Sequence, residues 1–123
     1  MRLKQHFEVY FLEEADRFLA GLDEKSRNKV LYNVLKSSMD NDPWLFKKLA
    51  SDIWEFRTRY GGMQYRLLAF WDLRREQQAL VLATHGIVKK KSRVPAKEIE
   101  RAMRIRKKYF ELSNDERKKD ASL

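Results

Sequence analysis

Ile53-Trp54-Glu55-Phe56-Arg57-Thr58-Arg59-Tyr60-Gly61-Gly62-Met63-Gln64-Tyr65-Arg66-Leu67-Leu68-Ala69-Phe70-Trp71 is the stretch whose reading decides the fold. Two runs rich in aromatic and aliphatic residues flank a glycine pair. A two-residue hairpin loop needs positive φ at both turn positions, which glycine adopts without a Cβ penalty. Strands are therefore expected over Ile53–Tyr60 and Met63–Trp71, with Tyr60 paired to Met63. In that register Arg57 faces Arg66, Arg59 faces Gln64 and Glu55 faces Leu68. Side chains alternate across a strand, so the two arginines share one face, while Trp54, Phe56, Thr58, Tyr65, Leu67 and Ala69 share the other.

Working outward, Phe7–Phe11 reads as a short first strand. Ala15, Phe18, Leu19 and Leu22 recur at helical spacing and stop near Gly21. A second helix is expected over 24–39 behind an Asp23 cap, with Val30, Leu31, Val34, Leu35 and Met39 as its apolar stripe. Asp40-Asn41-Asp42-Pro43 ends it, because proline and Asx residues favour turns. On the other side, Ala79–His85 is a third apolar run, reached through the polar Asp72–Gln78. A last helix starts near Pro95 and turns Ile99, Ala102, Met103 and Phe110 inward. The order βααβββα predicts one α+β domain over residues 1–112, its helices packed on one face of a small, largely antiparallel sheet. Residues 113–123 read as a frayed polar tail.

A chain of 123 residues with 43% hydrophobic residues can fill a core without covalent staples. Cysteine is absent, which excludes disulfide frameworks and thiolate metal sites and suits a reducing cytoplasm. No apolar run approaches the roughly 18 residues of a membrane span, and the first residues do not resemble a signal peptide. The expected location is cytoplasmic, with no membrane partner. The net charge of +9 is unevenly placed. Residues 1–85 carry 14 Lys/Arg against 12 Asp/Glu, whereas residues 86–110 carry 10 against 2. Such a concentration suits a polyanionic partner, and equally a solvated basic helix.

Two like charges directly opposite on a sheet repel, so an anion should lie between Arg57 and Arg66. Glu55, two residues along on the same face, is the structural answer. A substrate phosphate gripped by planar guanidinium forks is the functional one. If Arg74-Arg75 forms a two-residue loop, His85 falls opposite Gln64, on the arginine face. There its near-neutral pKa would suit proton transfer, although a lone strand-end histidine is more commonly structural. His6 and His85 are the only histidines, so neither a metal site nor a cofactor is expected. A metal-free nuclease acting on RNA uses the internal 2′-hydroxyl as nucleophile and needs a base, an acid and cations to steady the phosphorane-like charge. Arg57, Arg66, His85 and Lys90 are the candidate catalytic residues. Arg59, Lys89, Lys91, Arg93, Arg101 and Arg104 are candidate RNA contacts. Removing Arg66 is expected to abolish function and spare the fold.

Leu49-Ala50-Ser51-Asp52-Ile53-Trp54-Glu55-Phe56-Arg57, Gln64-Tyr65-Arg66 and Thr84-His85-Gly86-Ile87-Val88-Lys89-Lys90-Lys91-Ser92-Arg93-Val94-Pro95, followed by Glu98, Ile99 and Ala102, together resemble the phage-derived, HigB-like subgroup of the RelE/ParE superfamily of type II toxins. Ile87 stands where that pattern has an aromatic, and Val94 where it has a helix-capping threonine. The resemblance implies a microbial-RNase-like fold and a metal-independent endoribonuclease, an mRNA interferase that cuts mRNA on the ribosome and halts translation. It also implies neutralisation by a helix-turn-helix antitoxin, the complex binding operator DNA. The alternatives are a ParE-like poison of DNA gyrase and a non-catalytic, phage-derived nucleic-acid-binding protein.

Overall fold

The computed structural model describes the backbone of residues 5–76, 78–89 and 93–121, with side chains as far as 113. In chain order the elements are β1 (Glu8–Phe11), α1 (Glu13–Ala20), α2 (Glu24–Asp40), β2 (Phe46–Ala50), β3 (Ile53–Tyr60), β4 (Met63–Asp72), β5 (Leu80–Lys89) and α3 (Ala96–Ala121). The five strands form one sheet in the order β1-β5-β4-β3-β2, antiparallel except where β1 runs parallel to β5. The α+β class is as expected.

The β3–β4 hairpin forms as its glycines dictate. Gly61 and Gly62 take φ of 58° and 77°, and Arg57 pairs with Arg66 in an unbroken ladder from Trp54↔Ala69 to Tyr60↔Met63. The aromatic face of this ribbon packs under α1 and α2, where Phe7, Phe46, Phe56 and Leu67 meet Ala15, Leu19, Val30 and Val34. Phe46 stacks on Phe56 with centroids 4.3 Å apart, and Phe7 meets Trp71 edge-on at 5.0 Å. Offset and edge-to-face pairs of this kind add to the apolar burial.

Four expectations need correction. First, the helices do not share one face. Ile53, Leu68, Phe70 and Leu82 make the far end of the arginine face apolar, and α3 covers them with Ile99, Ala102, Met103 and Phe110. The sheet is thus covered on both sides. Secondly, α2 buries Ser26, Val30, Asn33, Val34, Ser37 and Ser38, while Leu31 and Leu35 stay exposed. Polar partners explain the rotation of the stripe: Asn33 Nδ2 donates to Thr58 Oγ1 at 3.1 Å, and Tyr65 OH lies 3.1 Å from Ser26 Oγ. Buried polar groups so satisfied cost little. The Asp23 cap stands as expected, accepting the Ser26 N–H at 3.0 Å.

Thirdly, β2 is an additional strand. Phe46-Lys47-Lys48-Leu49-Ala50 lacks β-branched residues, and it forms at the sheet edge, where exposed lysines discourage further pairing. Fourthly, β5 continues to Lys89, and its register differs from that of a two-residue loop. His85 pairs with Leu68, and Lys89 takes the place opposite Gln64. The connection after Asp72 is longer than two residues, and the ladder slips between Leu68 and Ala69, leaving Thr84 without a pair. The displacement along β4 spans an even number of residues, so His85 keeps the arginine face. The backbone of α3 is helical through Ala121, past the residue where the tail was expected to begin. No described helix is long and apolar enough to cross a membrane.

Candidate functional site

The arginine face is ordered in rows across β3, β4 and β5. Arg59, Gln64 and Lys89 form the row nearest the glycine turn, Arg57, Arg66 and Ile87 the next, and Glu55, Leu68 and His85 the third. The anion between the arginines is Glu55. Its Oε1 accepts from Arg66 Nη1 at 3.0 Å and lies 3.7 Å from Arg57 Nε. Arg66 also donates to Gln64 Oε1 at 2.5 Å. Glu55 and Arg66 are almost wholly buried, whereas the Arg57 side chain keeps 18% of its surface. Burial pushes the Glu55 carboxyl up and Arg66 and Arg57 pull it back. Burial likewise pushes Arg66 down against the pull of Glu55. This ion pair takes two charges out of water, and its geometry repays that cost only while both partners are present.

On the α2 side, beyond the end of β2, a cleft of about 390 Å³ opens against the last residues of β3. Arg57, Arg59 and Arg66 line it from the sheet, and Lys29 and Lys36 from α2. Among the described residues Asp42 is the single acid of the lining. Arg57, Arg59, Lys29 and Lys36 on one concave wall suit phosphate oxygens, with Arg66 held behind them by Glu55. Lys29 and Lys36 were not singled out from the sequence. Their spacing of seven residues, two helical turns, is the signal that places them on one face.

His85 does not reach this cleft. Its ring is 1% exposed and lies beneath α3, with Nε2 3.6 Å from Glu98 Oε2 and Nδ1 3.0 Å from Thr84 Oγ1. Burial and the nearby Arg101 lower its pKa, opposed by Glu98 and Glu14, which favours the neutral ring. Gly86 beside it leaves room for Phe18, which a Cβ would meet at 2.2 Å. Lys89 Nζ donates to the Arg93 carbonyl. Arg93 is exposed, Arg101 pairs with Glu14 of α1, and Arg104 is exposed on α3. Lys90 and Lys91 lie outside the described residues. The structure therefore gathers Arg57, Arg59 and Arg66, with Lys89 on the next strand but one from Arg59, and leaves His85, Arg101 and Arg104 apart from the cleft.

The family model described as "Phage derived protein Gp49-like (DUF891)" matches residues 17–107, a span holding the last turn of α1, all of α2, the hairpin and most of the basic stretch. The chain belongs to the Gp49-like family. The phage-derived membership implied by the Trp54-Glu55-Phe56-Arg57 and Thr84-His85-Gly86 motifs is thus borne out. No curated protein sequence matches this Gp49-like chain. Among solved structures, a chain of the toxin–antitoxin complex RelBE2 from Mycobacterium tuberculosis is similar at 18% identity and a TM-score of 0.49. The alignment covers 68% of the Gp49-like chain and 98% of that one.

Proposed function

We propose that this Gp49-like protein is the toxin of a toxin–antitoxin pair and acts as a metal-independent endoribonuclease on mRNA at the ribosome. The observation that carries the reading is the paired Arg57 and Arg66 at the wall of a cation-lined cleft. In the reaction, the 2′-oxygen of RNA attacks the adjacent phosphorus, its proton passes to a base, and the bond to the 5′-oxygen breaks as that oxygen gains a proton. Arg57 contacts the phosphate as negative charge builds on it, where fixed guanidinium donors act most strongly. Glu55 and Arg66 are positioning residues that hold the Arg57 side chain at the cleft mouth. His85 is covered by α3 and set apart from the cleft, so its use in proton transfer requires the first turn of α3 to move. A helix-turn-helix antitoxin as partner, operator binding by the complex and a cytoplasmic site of action belong to the same proposal and rest on the sequence motifs.

A second reading has its own support. Glu55 neutralises Arg66 and the one candidate histidine is buried, as a protein that binds without performing chemistry would allow. A ParE-like gyrase poison is such a protein. Induced expression separates the two. The nuclease arrests growth with mRNA lost before DNA synthesis stops, and Arg57→Gln, on a partly exposed side chain, lowers cleavage about 100-fold in keeping with loss of one oxyanion donor. DNA breaks appearing first, over intact mRNA, would sink the nuclease.

A further inference from the structure

The cleft beside Arg57 adjoins a shallow, open depression along α2, and the two share Lys29 and Tyr32, so that together they form a shallow trough. Three aromatic rings border this trough: Trp44, Tyr32 and Tyr60, exposed by 77%, 57% and 37%. Trp54 and Trp71 pack into the aromatic core, whereas Trp44 is held outward, its backbone N–H donating to Asp42 Oδ1 at 2.8 Å. The Lys29 ammonium stands 5.3 Å from the Tyr32 ring centre, presenting charge and π-face together.

We infer that the trough is a stacking track for unpaired RNA, with successive bases lying on Trp44, Tyr32 and Tyr60 and phosphates on the intervening cations. This deepens the nuclease reading and rests on it for the choice of RNA. The chemistry of the lining favours a polyanion with planar rings over a protein segment. Among the described residues Lys25, Lys29, Lys36, Arg57 and Arg59 face a lone Asp42, and the Lys29 ammonium sits beside the Tyr32 ring. Stacking on aromatic rings accepts any base, because every base has a π-face, while charge follows the backbone. Lys25 to Lys36 spans about 16 Å of helix, room for a short run of nucleotides. Paired bases keep their faces inside the helix, so a duplex gains the charge and forfeits the stacking.

The test is titration of the full chain with a uridine hexamer at low salt, read by quenching of tryptophan fluorescence and by anisotropy of a labelled hexamer. The wild-type protein should bind the hexamer more tightly than an RNA duplex of equal length. Trp44→Ala and Tyr32→Ala should each weaken hexamer binding about 10-fold, and Trp44→Phe should restore most of it. Duplex binding should be indifferent to all three. Unchanged hexamer affinity in both alanine variants overturns the inference, as does a duplex that binds equally well. So does a tetraglutamate peptide that binds with the same Trp44 dependence where the hexamer does not. The measurement uses no ribosome, so it fails separately from the nuclease reading. Normal binding by Trp44→Ala alongside mRNA cleavage by wild-type protein in a translation extract removes the track and keeps the enzyme. The converse pattern removes the enzyme and keeps the track.

Discussion

Arg66→Ala is the perturbation that most directly probes the centre of the site, and its first effect falls on stability. The substitution leaves Glu55, 1% exposed, without the donor that lies 3.0 Å from its Oε1, and Arg57 at 3.7 Å compensates only in part. Breaking a buried ion pair from one side costs about 3–5 kcal/mol in comparable cases. With Arg57 still present the lower end, about 3 kcal/mol, is expected. Against a total stability of about 5–15 kcal/mol that is a large fraction. The expectation that this variant spares the fold is therefore replaced by one of marked destabilisation. The pH dependence follows from the sign of the shift. Burial raises the folded-state pKa of Glu55, so the folded protein binds its proton more tightly than the unfolded chain does. Glu55 therefore lowers stability as pH rises from its unfolded pKa, about 4.3, through the higher folded value. Removing Arg66 raises that folded value further, because Arg66 is the strongest influence holding it down. The deficit should be larger at pH 8 than at pH 5, where more of Glu55 carries its proton. Urea unfolding followed by tryptophan fluorescence at both pH values measures it. A deficit under about 0.5 kcal/mol, the size of an ordinary surface substitution, or one identical at both pH values, would show that Glu55 does not depend on Arg66.

Two further predictions concern the frame around the site. Gly86→Ala should cost about 1–3 kcal/mol by overpacking, since its Cβ would lie 2.2 Å from Phe18; Phe18→Ala should remove most of that penalty in a double-mutant cycle. Asp72 is held well below the usual carboxylate range by Arg74, with a further hydrogen bond from Tyr109. Its stabilising contribution is thus complete above the unfolded pKa and lost as pH falls through the folded one. Asp72→Asn should lower the melting temperature at pH 7 and narrow its gap to wild type as the solution is acidified below about pH 4, measured by thermal unfolding monitored with circular dichroism.

The legible parts of the molecule are those governed by neighbours in sequence. Gly61-Gly62 sets the hairpin register because the turn permits one pairing, and with it the meeting of Arg57 and Arg66. Asp23 announces the start of α2 through a contact three residues away. The parts that escaped depend on distant residues. The buried side of α2 is chosen by Thr58 and Tyr65 through Asn33 and Ser26, and a hydropathy stripe has no knowledge of those partners. The position of His85 depends on an unpaired Thr84, and its burial on where α3 lands. Lys29 and Lys36 join the site only once α2 is laid beside β3. Charge counting drew attention to residues 86–110, yet among the described residues every basic one bordering the cleft lies upstream of them.

The parallel edge of the sheet bears on the order of assembly. β2, β3, β4 and β5 follow one another in the chain and can zip together as short-range neighbours. β1 must wait, since Glu8 finds its place only against Leu80. Loop-closure entropy makes such a remote pairing a late event. As the chain leaves the tunnel that builds it, β1 emerges ahead of β5 yet docks late, and until then the flank of β5 stands open.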